Sequence, residues 1–230
     1  CTDTWRGTWS VGGAMINSCE RTSGAGTNNA ALRMSGPSST NTEEYNGSAW
    51  SAGGAGVIGL AYSIGRGTQN AAIGLHDTSP STALVEEYNG STWAYGATTT
   101  IGHGSGTHTG AGAGTQNATL IYGGSPVSTL NRCTEEYDGT SWSNKAALAV
   151  GGLQAFGFGV VNAAIFNSPA NCTQAYDGSS WSAAASLGTG RAYGKASGVS
   201  QNVGVVSGGN NNGYTEHYDG TAWSYGTHAT

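Results

Sequence analysis

The chain has 230 residues, which suits one domain of ordinary size or a short array of small units. Charged residues make up only 9% of it, glycine reaches 40 residues, and the formal net charge is −5. A phosphate backbone needs a basic surface, so nucleic acid is not an expected partner. No apolar run approaches the roughly 18 residues that span a bilayer, so membrane insertion is not expected either.

A nine-residue motif with a Tyr near its middle and a Trp at its end recurs along the chain. A shortened copy, "TDTWRGTW", ends at Trp9, and five full copies follow, beginning with "TEEYNGSAW" at 42–50. A disordered Gly-rich chain has no reason to keep large aromatic residues in phase, so the repeats are predicted to fold. The repeated aromatic residues are Tyr45, Trp50, Tyr88, Trp93, Tyr137, Trp142, Tyr176, Trp181, Tyr218 and Trp223.

A second motif keeps the same period. It reads "GTNNAALRMSG" at 26–36, "GTQNAAIGLHD" at 67–77 and "GTQNATLIYGG" at 114–124, with weaker copies at 159–169 and 198–209. Its central Asn recurs at intervals of 41, 47, 45 and 40 residues, and the Trp of the first motif at 43, 49, 39 and 42. Two unrelated motifs with one shared spacing define a unit of about 43 residues.

Each unit has the pattern of four short strands. Apolar runs such as "AALRM" and "ATLIY" are typical of buried strands, and "EEY" precedes an Asn-Gly or Asp-Gly hairpin signal. The Trp lies on the strand after that turn, and a Gly-rich stretch ahead of the apolar run can hold a fourth. Four short strands in each unit of about 43 residues, and five such units in the chain, predict an all-β fold. The predicted fold is a β-propeller of five four-stranded blades in one domain, 1–230. The predicted parts are an extra N-terminal hairpin at 1–10, blades at 11–51, 52–94, 95–143, 144–182 and 183–225, and a tail at 226–230.

The Asn46-Gly47 pair predicts a two-residue turn, in which both residues favour positive φ. Tyr45 would then face Ser48, and Glu43 would face Trp50, so that the Tyr and Trp rings lie diagonally on one face. Aromatic rings at that spacing are in contact range and can press against the next blade. The nonamer is therefore predicted to be mainly a packing device.

The order of apolar strand, Gly-Gly, variable loop, Tyr-Asp and Trp resembles the kelch repeat. It is clearest at Gly123-Gly124, Tyr137-Asp138 and Trp142, and again at Gly208-Gly209, Tyr218-Asp219 and Trp223. Gly-Gly is lost in the first, second and fourth units. The amino-acid pattern of the repeats is also similar to that of Gly-rich repeats in structural proteins of bacteriophages, especially marine ones, such as tail fibres. These resemblances imply a propeller that serves as a part of a virion or cell surface, and not an enzyme.

The residues that could carry chemistry are repeated or scattered. Seven of the thirteen acids lie in the "EEY" element, which recurs in unit after unit, whereas an active site is normally unique. We expect solvated or hydrogen-bonded strand positions there, with weak cation binding as an alternative. The five histidines have no zinc spacing, and we expect exposed loop positions for them. No catalytic residue, metal ligand or cofactor is predicted. The acids are Glu43, Glu44, Glu86, Glu87, Glu135, Glu136 and Glu216; the histidines are His76, His103, His108, His217 and His228.

The four cysteines leave the thiol state open. Cys133 and Cys172 each precede the repeated Tyr by four residues, and Cys1 precedes Trp5 by the same distance. Equivalent positions in adjacent blades are usually too far apart for a disulfide, whose Cα atoms come within about 7 Å. A bridge between Cys1 and Cys19 is sterically easier, and four free thiols are equally compatible. Cys1 is also compatible with the lipid-bearing residue of a bacterial lipoprotein.

Long, variable loops precede the "EEY" strand, at 35–41, 76–84, 123–132 and 166–171. Recognition concentrates in variable loops on a rigid frame. We therefore predict a non-enzymatic structural or adhesion component of a phage virion, extracellular or on the virion surface. It would be a tail-fibre, receptor-binding or capsid-decorating module, with other virion proteins and a host-surface glycan or receptor as partners, and possible self-association. The alternative is a lectin-like, carbohydrate-binding propeller of an extracellular or cell-surface protein, which requires an exposed Trp in a pocket of each blade.

Overall fold

A computed structural model of the chain describes most of its residues. These are 9–18, 22–34, 36, 39–59, 64–77, 83–105, 108–124, 131–210 and 213–226. Within these ranges there is no helix, and the strands form five four-stranded antiparallel sheets arranged as the blades of a propeller. The prediction of an all-β, five-bladed propeller is confirmed. Most of the predicted N-terminal hairpin, residues 1–8, lies outside the described residues.

The five blades follow one another along the chain. Blade 1 contains β1 (Ser23–Thr27), β2 (Ala30–Met34), β3 (Glu43–Tyr45) and β4 (Trp50–Ala52). Blade 2 contains β5 (Ile64–Thr68), β6 (Ala71–Asp77), β7 (Ala83–Tyr88) and β8 (Trp93–Tyr95). A two-stranded ribbon, β9 (Gly104–Ser105) and β10 (His108–Thr109), precedes blade 3, which contains β11 (Ala111–Thr115), β12 (Ala118–Tyr122), β13 (Thr134–Tyr137) and β14 (Trp142–Lys145). Blade 4 contains β15 (Phe156–Val160), β16 (Ala163–Asn167), β17 (Thr173–Tyr176) and β18 (Trp181–Ala183), and blade 5 contains β19 (Lys195–Ser200), β20 (Val203–Ser207), β21 (Thr215–Tyr218) and β22 (Trp223–Tyr225).

The antiparallel order gives the ring two different faces. In every blade the strands pair in chain order, so the first-to-second and third-to-fourth turns lie at one end of the sheet. We call that end the turn face. The second-to-third connections and the connections between blades lie at the other end, which we call the loop face. The turn face is built from short repeated turns, whereas the loop face carries the long and dissimilar segments.

The third-to-fourth turn is longer than the sequence predicted. Asn46 donates its backbone N–H to the carbonyl of Ala49 at 3.2 Å, so four residues form the loop. Tyr45 consequently lies directly opposite Trp50, and not opposite Ser48. The predicted two-residue register was wrong, although the two rings do contact each other, with centroids 5.0 Å apart.

The side chain of the first loop residue explains the four-residue turn. Asn46 Oδ1 accepts the backbone N–H groups of Ser48 at 3.0 Å and Ala49 at 2.9 Å, and of the loop residues only Gly47 has a positive φ, 94°. Asn and Asp side chains stabilise turns in this way by replacing a backbone acceptor. The same turn recurs in the other blades with Asn89, Asp138, Asp177 and Asp219 as the accepting residue.

The repeated Trp packs blades 2 to 5 against the blade before each of them. Trp142 donates its ring N–H to the carbonyl of Ala97, which precedes blade 3, and Trp181 donates to Thr134 Oγ1 of blade 3. Both rings are buried, and each stacks or tilts against the Tyr of its own blade at 5.0 Å. The aromatic pair therefore fills the widening space between neighbouring sheets, where burial of large rings contributes most.

A repeated Gln joins the blades at the turn face. Gln116 donates its side-chain amide to two carbonyls of blade 2, those of Ala72 at 3.0 Å and Tyr88 at 2.8 Å. Gln69 and Gln201 make the equivalent bonds to blades 1 and 4. At the same position blade 1 has Asn28, which is exposed.

The junction between blades 5 and 1 is less tightly packed than the other four. Hydrogen bonds connect every consecutive pair of blades from 1 to 5, but none connects blade 5 to blade 1 between described residues. Val199 of β19 is 86% exposed, and Trp50 of blade 1 is only half-buried. We call this junction the seam. Each blade gains stability from its neighbours, so among the described residues the seam provides the fewest stabilising contacts.

We expect the Trp142→Ala substitution to lower the free energy of unfolding by about 3–5 kcal/mol, because it opens a large cavity between two blades. Trp50→Ala, at the seam, serves as the matched control and should cost less than about half of that, because less of its ring leaves water on folding. Urea unfolding followed by circular dichroism measures both values. Equal losses for the two variants would contradict the unequal packing of the junctions.

Candidate functional site

The first acid of the "EEY" strand is a buried acceptor for the chain that enters the blade. Glu43 accepts the backbone N–H groups of Ile16 and Asn17, both at 2.9 Å. Glu135 accepts those of Thr100 and Ile101 in the same way. Equivalent bonds reach Glu86 from Ile58, and Glu216 from Gly188 and Thr189. The repeated acid thus fixes the connection between blades at the loop face, which accounts for a large part of the motif.

Each buried acid also has a basic partner. Arg33 pairs with Glu43 at 2.9 Å, His76 with Glu86 at 3.1 Å, and His103 with Glu135 at 2.9 Å. In blade 5 the pair is Arg191 with Glu216. All eight side chains are buried, as expected for polar groups that are paired and hydrogen-bonded.

The prediction that the histidines are exposed loop residues was wrong for His76 and His103. They are 2% and 0% exposed, because each is held against a buried carboxylate. His76 lies in β6, whereas His103 lies in the connection that enters blade 3. His217 is half-buried, the side chain of His108 is not described, and His228 lies outside the described residues.

In blade 4 a neutral side chain replaces the buried acid. Gln174 occupies the position of the buried acid; it accepts the backbone N–H of Ala149 at 2.7 Å and donates its amide to the carbonyl of Val150 at 2.7 Å. A neutral side chain needs no counter-charge, and the structure gives Gln174 none. The retained function of this position is therefore to hold the incoming backbone, and the base is required only where the acceptor is charged.

These carboxylates are fixed acceptors. Burial by itself would raise the pKa of Glu135, but the hydrogen bonds from His103 and Thr100 outweigh it and keep the pKa below its ordinary value. The pKa of Glu43 is likewise lowered, because its bonds from Ile16 and Asn17 outweigh burial. An acid that stays ionised and fully hydrogen-bonded is poorly placed for proton transfer.

The second acid of the strand and the repeated Tyr form a further link between blades. Tyr88 donates its hydroxyl to Glu44 of blade 1 at 2.5 Å, and Tyr137 donates to Glu87 of blade 2 at 2.7 Å. Burial, followed by the bond to Glu87, raises the pKa of Tyr137. Tyr88 and Tyr137 thus connect neighbouring blades, whereas Tyr176 and Tyr218 donate their hydroxyls to the carbonyls of Gly178 and Gly220 in the turns of their own blades. The rings of Trp93, Trp142 and Trp181 are at most 8% exposed, which leaves no free face for a stacked sugar.

The loop face carries the candidate recognition surface. Four non-glycine residues among those described have a positive φ, namely Gln154, Asn171, Tyr193 and Asn210, and all four lie in loop-face connections of blades 3 to 5. Such a backbone is unfavourable for a residue like Tyr and persists only where its surroundings hold it. Gln154 donates its amide to the Tyr193 hydroxyl at 2.6 Å, which joins two separate connections. Tyr193 is nevertheless 55% exposed.

Other exposed aromatic groups continue this surface. Tyr225, at the end of β22, is 60% exposed; its hydroxyl lies 2.7 Å from Thr189 Oγ1, and its ring meets that of Tyr214 edge-on. A shallow cleft of about 340 Å³ lies nearby, between residues 151–154 and 168–170. Exposed Tyr side chains that are held in place are well suited to recognition, since little entropy is lost when they bind.

The remaining candidates from the sequence are the cysteines and the variable loops. Cys133 and Cys172 are half-buried, and Cys1 and Cys19 lie outside the described residues. Of the predicted variable loops, that at 166–171 is described in full and the other three only in part.

The described residues contain no group of three or more His, Cys, Asp or Glu side chains that could hold a metal. Among the same residues, no helix has the length and apolar character needed to cross a membrane.

No family model and no curated protein matches the chain.

The Glu135→Gln variant should show how much the buried acid contributes. The pKa of Glu135 is lower in the folded than in the unfolded chain, so its contribution is present above about pH 4.5 and is lost as the pH falls below that value. We expect the variant to lose about 3 kcal/mol at pH 7, because His103 and the backbone N–H groups of Thr100 and Ile101 lose a buried charged acceptor. Its unfolding free energy should also fall less steeply than that of the wild type between about pH 5 and pH 3.

The control for this experiment is Glu136→Gln at the neighbouring position. Glu136 pairs with Lys145 at the surface, at 3.2 Å, so its removal should cost less than about 1 kcal/mol. Urea unfolding at several pH values measures both variants. A wild-type pH slope in Glu135→Gln would show that the buried carboxylate does not govern acid stability.

Proposed function

We propose that this chain is a non-enzymatic structural and adhesion component of a phage virion, and that the loop face is its recognition surface. The observation that carries the proposal is the difference between the two faces of the ring. The turn face repeats one short turn in every blade, whereas the loop face differs from blade to blade. Variation on one side of a rigid frame is typical of a binding module.

The contacts at the loop face support this division. Buried acids such as Glu43 and Glu135 anchor the backbone just inside the surface, so the connections can differ in sequence while their ends stay fixed. Above these anchors the exposed side chains of Tyr193 and Tyr225 are held by hydrogen bonds to Gln154 and Thr189. The surface is therefore preorganised, which lowers the entropic cost of binding.

The virion setting is supported by the resemblance of the repeats to kelch repeats and to Gly-rich repeats of phage structural proteins. The chain would be a tail-fibre, receptor-binding or capsid-decorating part that contacts other virion proteins and a receptor on the host surface. The exposed Tyr and Asn groups of the loop face suit a glycan as that receptor. A lectin with one Trp pocket per blade loses support, because three of the five Trp rings are buried.

The proposal is tested by the binding of fluorescently labelled protein to host cells. The double variant Tyr193→Asn, Tyr225→Ser removes two exposed groups of the loop face, and Asn is chosen because it tolerates the positive φ of residue 193. We expect it to bind at least about tenfold more weakly than the wild type, since aromatic side chains often dominate interfaces.

The matched control is Val160→Ser, Val199→Ser, which changes two exposed side chains near the turn face and should leave binding unchanged. A loss of binding in this control alone, or no binding of the wild type to any host strain, would overturn the assignment of the loop face. Gold-labelled antibody against the protein, imaged on phage particles, tests the virion setting separately. Label confined to the host cell would contradict that part of the proposal.

A further inference from the structure

A cavity of about 800 Å³ lies at the centre of the ring. Most of its wall comes from the innermost strands, β1, β5, β11, β15 and β19, largely from their ends at the loop face, and in blade 1 the wall extends to Arg33 of β2 and Trp50 of β4. Small residues make up much of the wall, including Gly24, Ala25, Ala111, Gly157 and Ala196. The cavity stays open because these side chains do not reach the axis, and its volume lies within the range of ligand sites in proteins.

Three cationic side chains line the cavity, although the chain as a whole carries a net charge of −5. They are Arg33 of blade 1, Arg66 of blade 2 and Lys195 of blade 5. No Asp or Glu is among the described residues of the wall. The nearest acid known to contact any of them is Glu43, which bonds to one nitrogen of Arg33. The cavity therefore has an excess of positive charge, and like charges held together favour an anion between them.

The two arginines have hydrogen-bond donors that the protein does not use. Arg33 is 4% exposed; its Nη2 bonds to Glu43, whereas its Nε and Nη1 have no partner. Arg66 gives Nη1 to the carbonyl of Gly65 and Nη2 to those of Gly112 and Gly157, and its Nε has no partner. Unpaired donors on a buried charged group are costly, so they point to a ligand with acceptor oxygens.

Lys195 adds a third cationic group, and its surroundings disfavour the charged form of its side chain. Reduced solvation, and then the positive charge of Arg66, lower the pKa of Lys195. An anion at the centre would offset both effects, since it brings an opposite charge close to the ammonium group. The side chain of Lys195 is exposed toward the open space and is therefore free to meet a ligand.

Three aromatic side chains also line the cavity. Trp50, Phe156 and Tyr193 come from blade 1, blade 4 and the connection before blade 5. Ring faces beside charged groups suit a molecule with an apolar face as well as an acidic group, such as a sugar acid. We propose that the central cavity binds a monosaccharide-sized ligand that carries a carboxylate or sulfate group, with Arg33, Arg66 and Lys195 as the groups that hold the anion.

This proposal concerns a site at the axis and does not depend on the virion setting. The test is isothermal titration calorimetry of the purified protein in low-salt buffer, with glucuronate, inorganic sulfate and glucose as probes. We expect glucuronate to bind with one site per chain, sulfate to bind more weakly, and glucose to give no signal, because it has no charge. Added salt should weaken glucuronate binding, since it screens the cationic groups.

Two variants locate the site. Lys195→Met should lower the affinity for glucuronate at least about tenfold, whereas Lys145→Met, which removes a cation from outer strand β14, should leave it unchanged. Arg33→Lys keeps a positive charge beside Glu43 but removes the two nitrogen atoms, Nε and Nη1, whose N–H groups have no partner, and it should also weaken binding. Its melting temperature shows whether the ring remains folded.

The proposal is overturned if neither glucuronate nor sulfate binds the wild type at millimolar concentration, or if Lys195→Met binds glucuronate as tightly as the wild type. Sulfate binding without glucuronate binding would restrict the cavity to inorganic oxyanions and overturn the assignment of a sugar-sized ligand. Cell binding through the loop face is measured separately, so a failure there leaves these results standing.

Discussion

The bond between a buried carboxylate and the backbone that enters a blade is the interaction on which the architecture depends. The backbone hydrogen bonds of each sheet stay within that sheet, so the blades must be joined by side chains and by the connections themselves. Glu43, Glu86, Glu135 and Glu216 hold these connections, and a basic side chain lies beside each of them. Gln174 performs the same task without charge. The need is therefore for an acceptor at this place, and the ion pair is one way to provide it.

The remaining contacts between blades form layers from the turn face to the loop face. Gln116 crosses to the preceding blade at the turn face, Trp142 fills the wide outer space, and Tyr137 reaches an acid of the preceding blade. The seam has an exposed Asn28 and a half-buried Trp50 at the corresponding places. The central cavity borders both sides of the seam, because Arg33 and Lys195 line it from blades 1 and 5.

This arrangement separates stability from recognition. Repeated residues stabilise the blades, so the same side chains appear five times with small changes. Residues that differ between units lie in the loop-face connections, where backbone strain is also concentrated at positions such as Gln154 and Tyr193. The cationic cavity is different again, because Arg33, Arg66 and Lys195 do not occupy equivalent positions in their blades. A ring built from similar units can in this way contain a single asymmetric site at its axis.

The sequence by itself determined the all-β fold, the unit of about 43 residues, the number of blades and the contact between Tyr45 and Trp50, because all of these are written in a repeating local pattern. Only the tertiary structure decided the partners of the buried acids. Arg33 and His76 come from second strands, whereas His103 and Arg191 come from connections, so no spacing along the chain reveals them. The register of the third-to-fourth turn was also decided by the tertiary structure. The Asn-Gly pair indicates a two-residue turn, whereas the Asn46 side chain stabilises a turn of four residues. The cavity could not be predicted for the same reason: its charged groups lie on different blades and meet only when the blades are arranged around the axis.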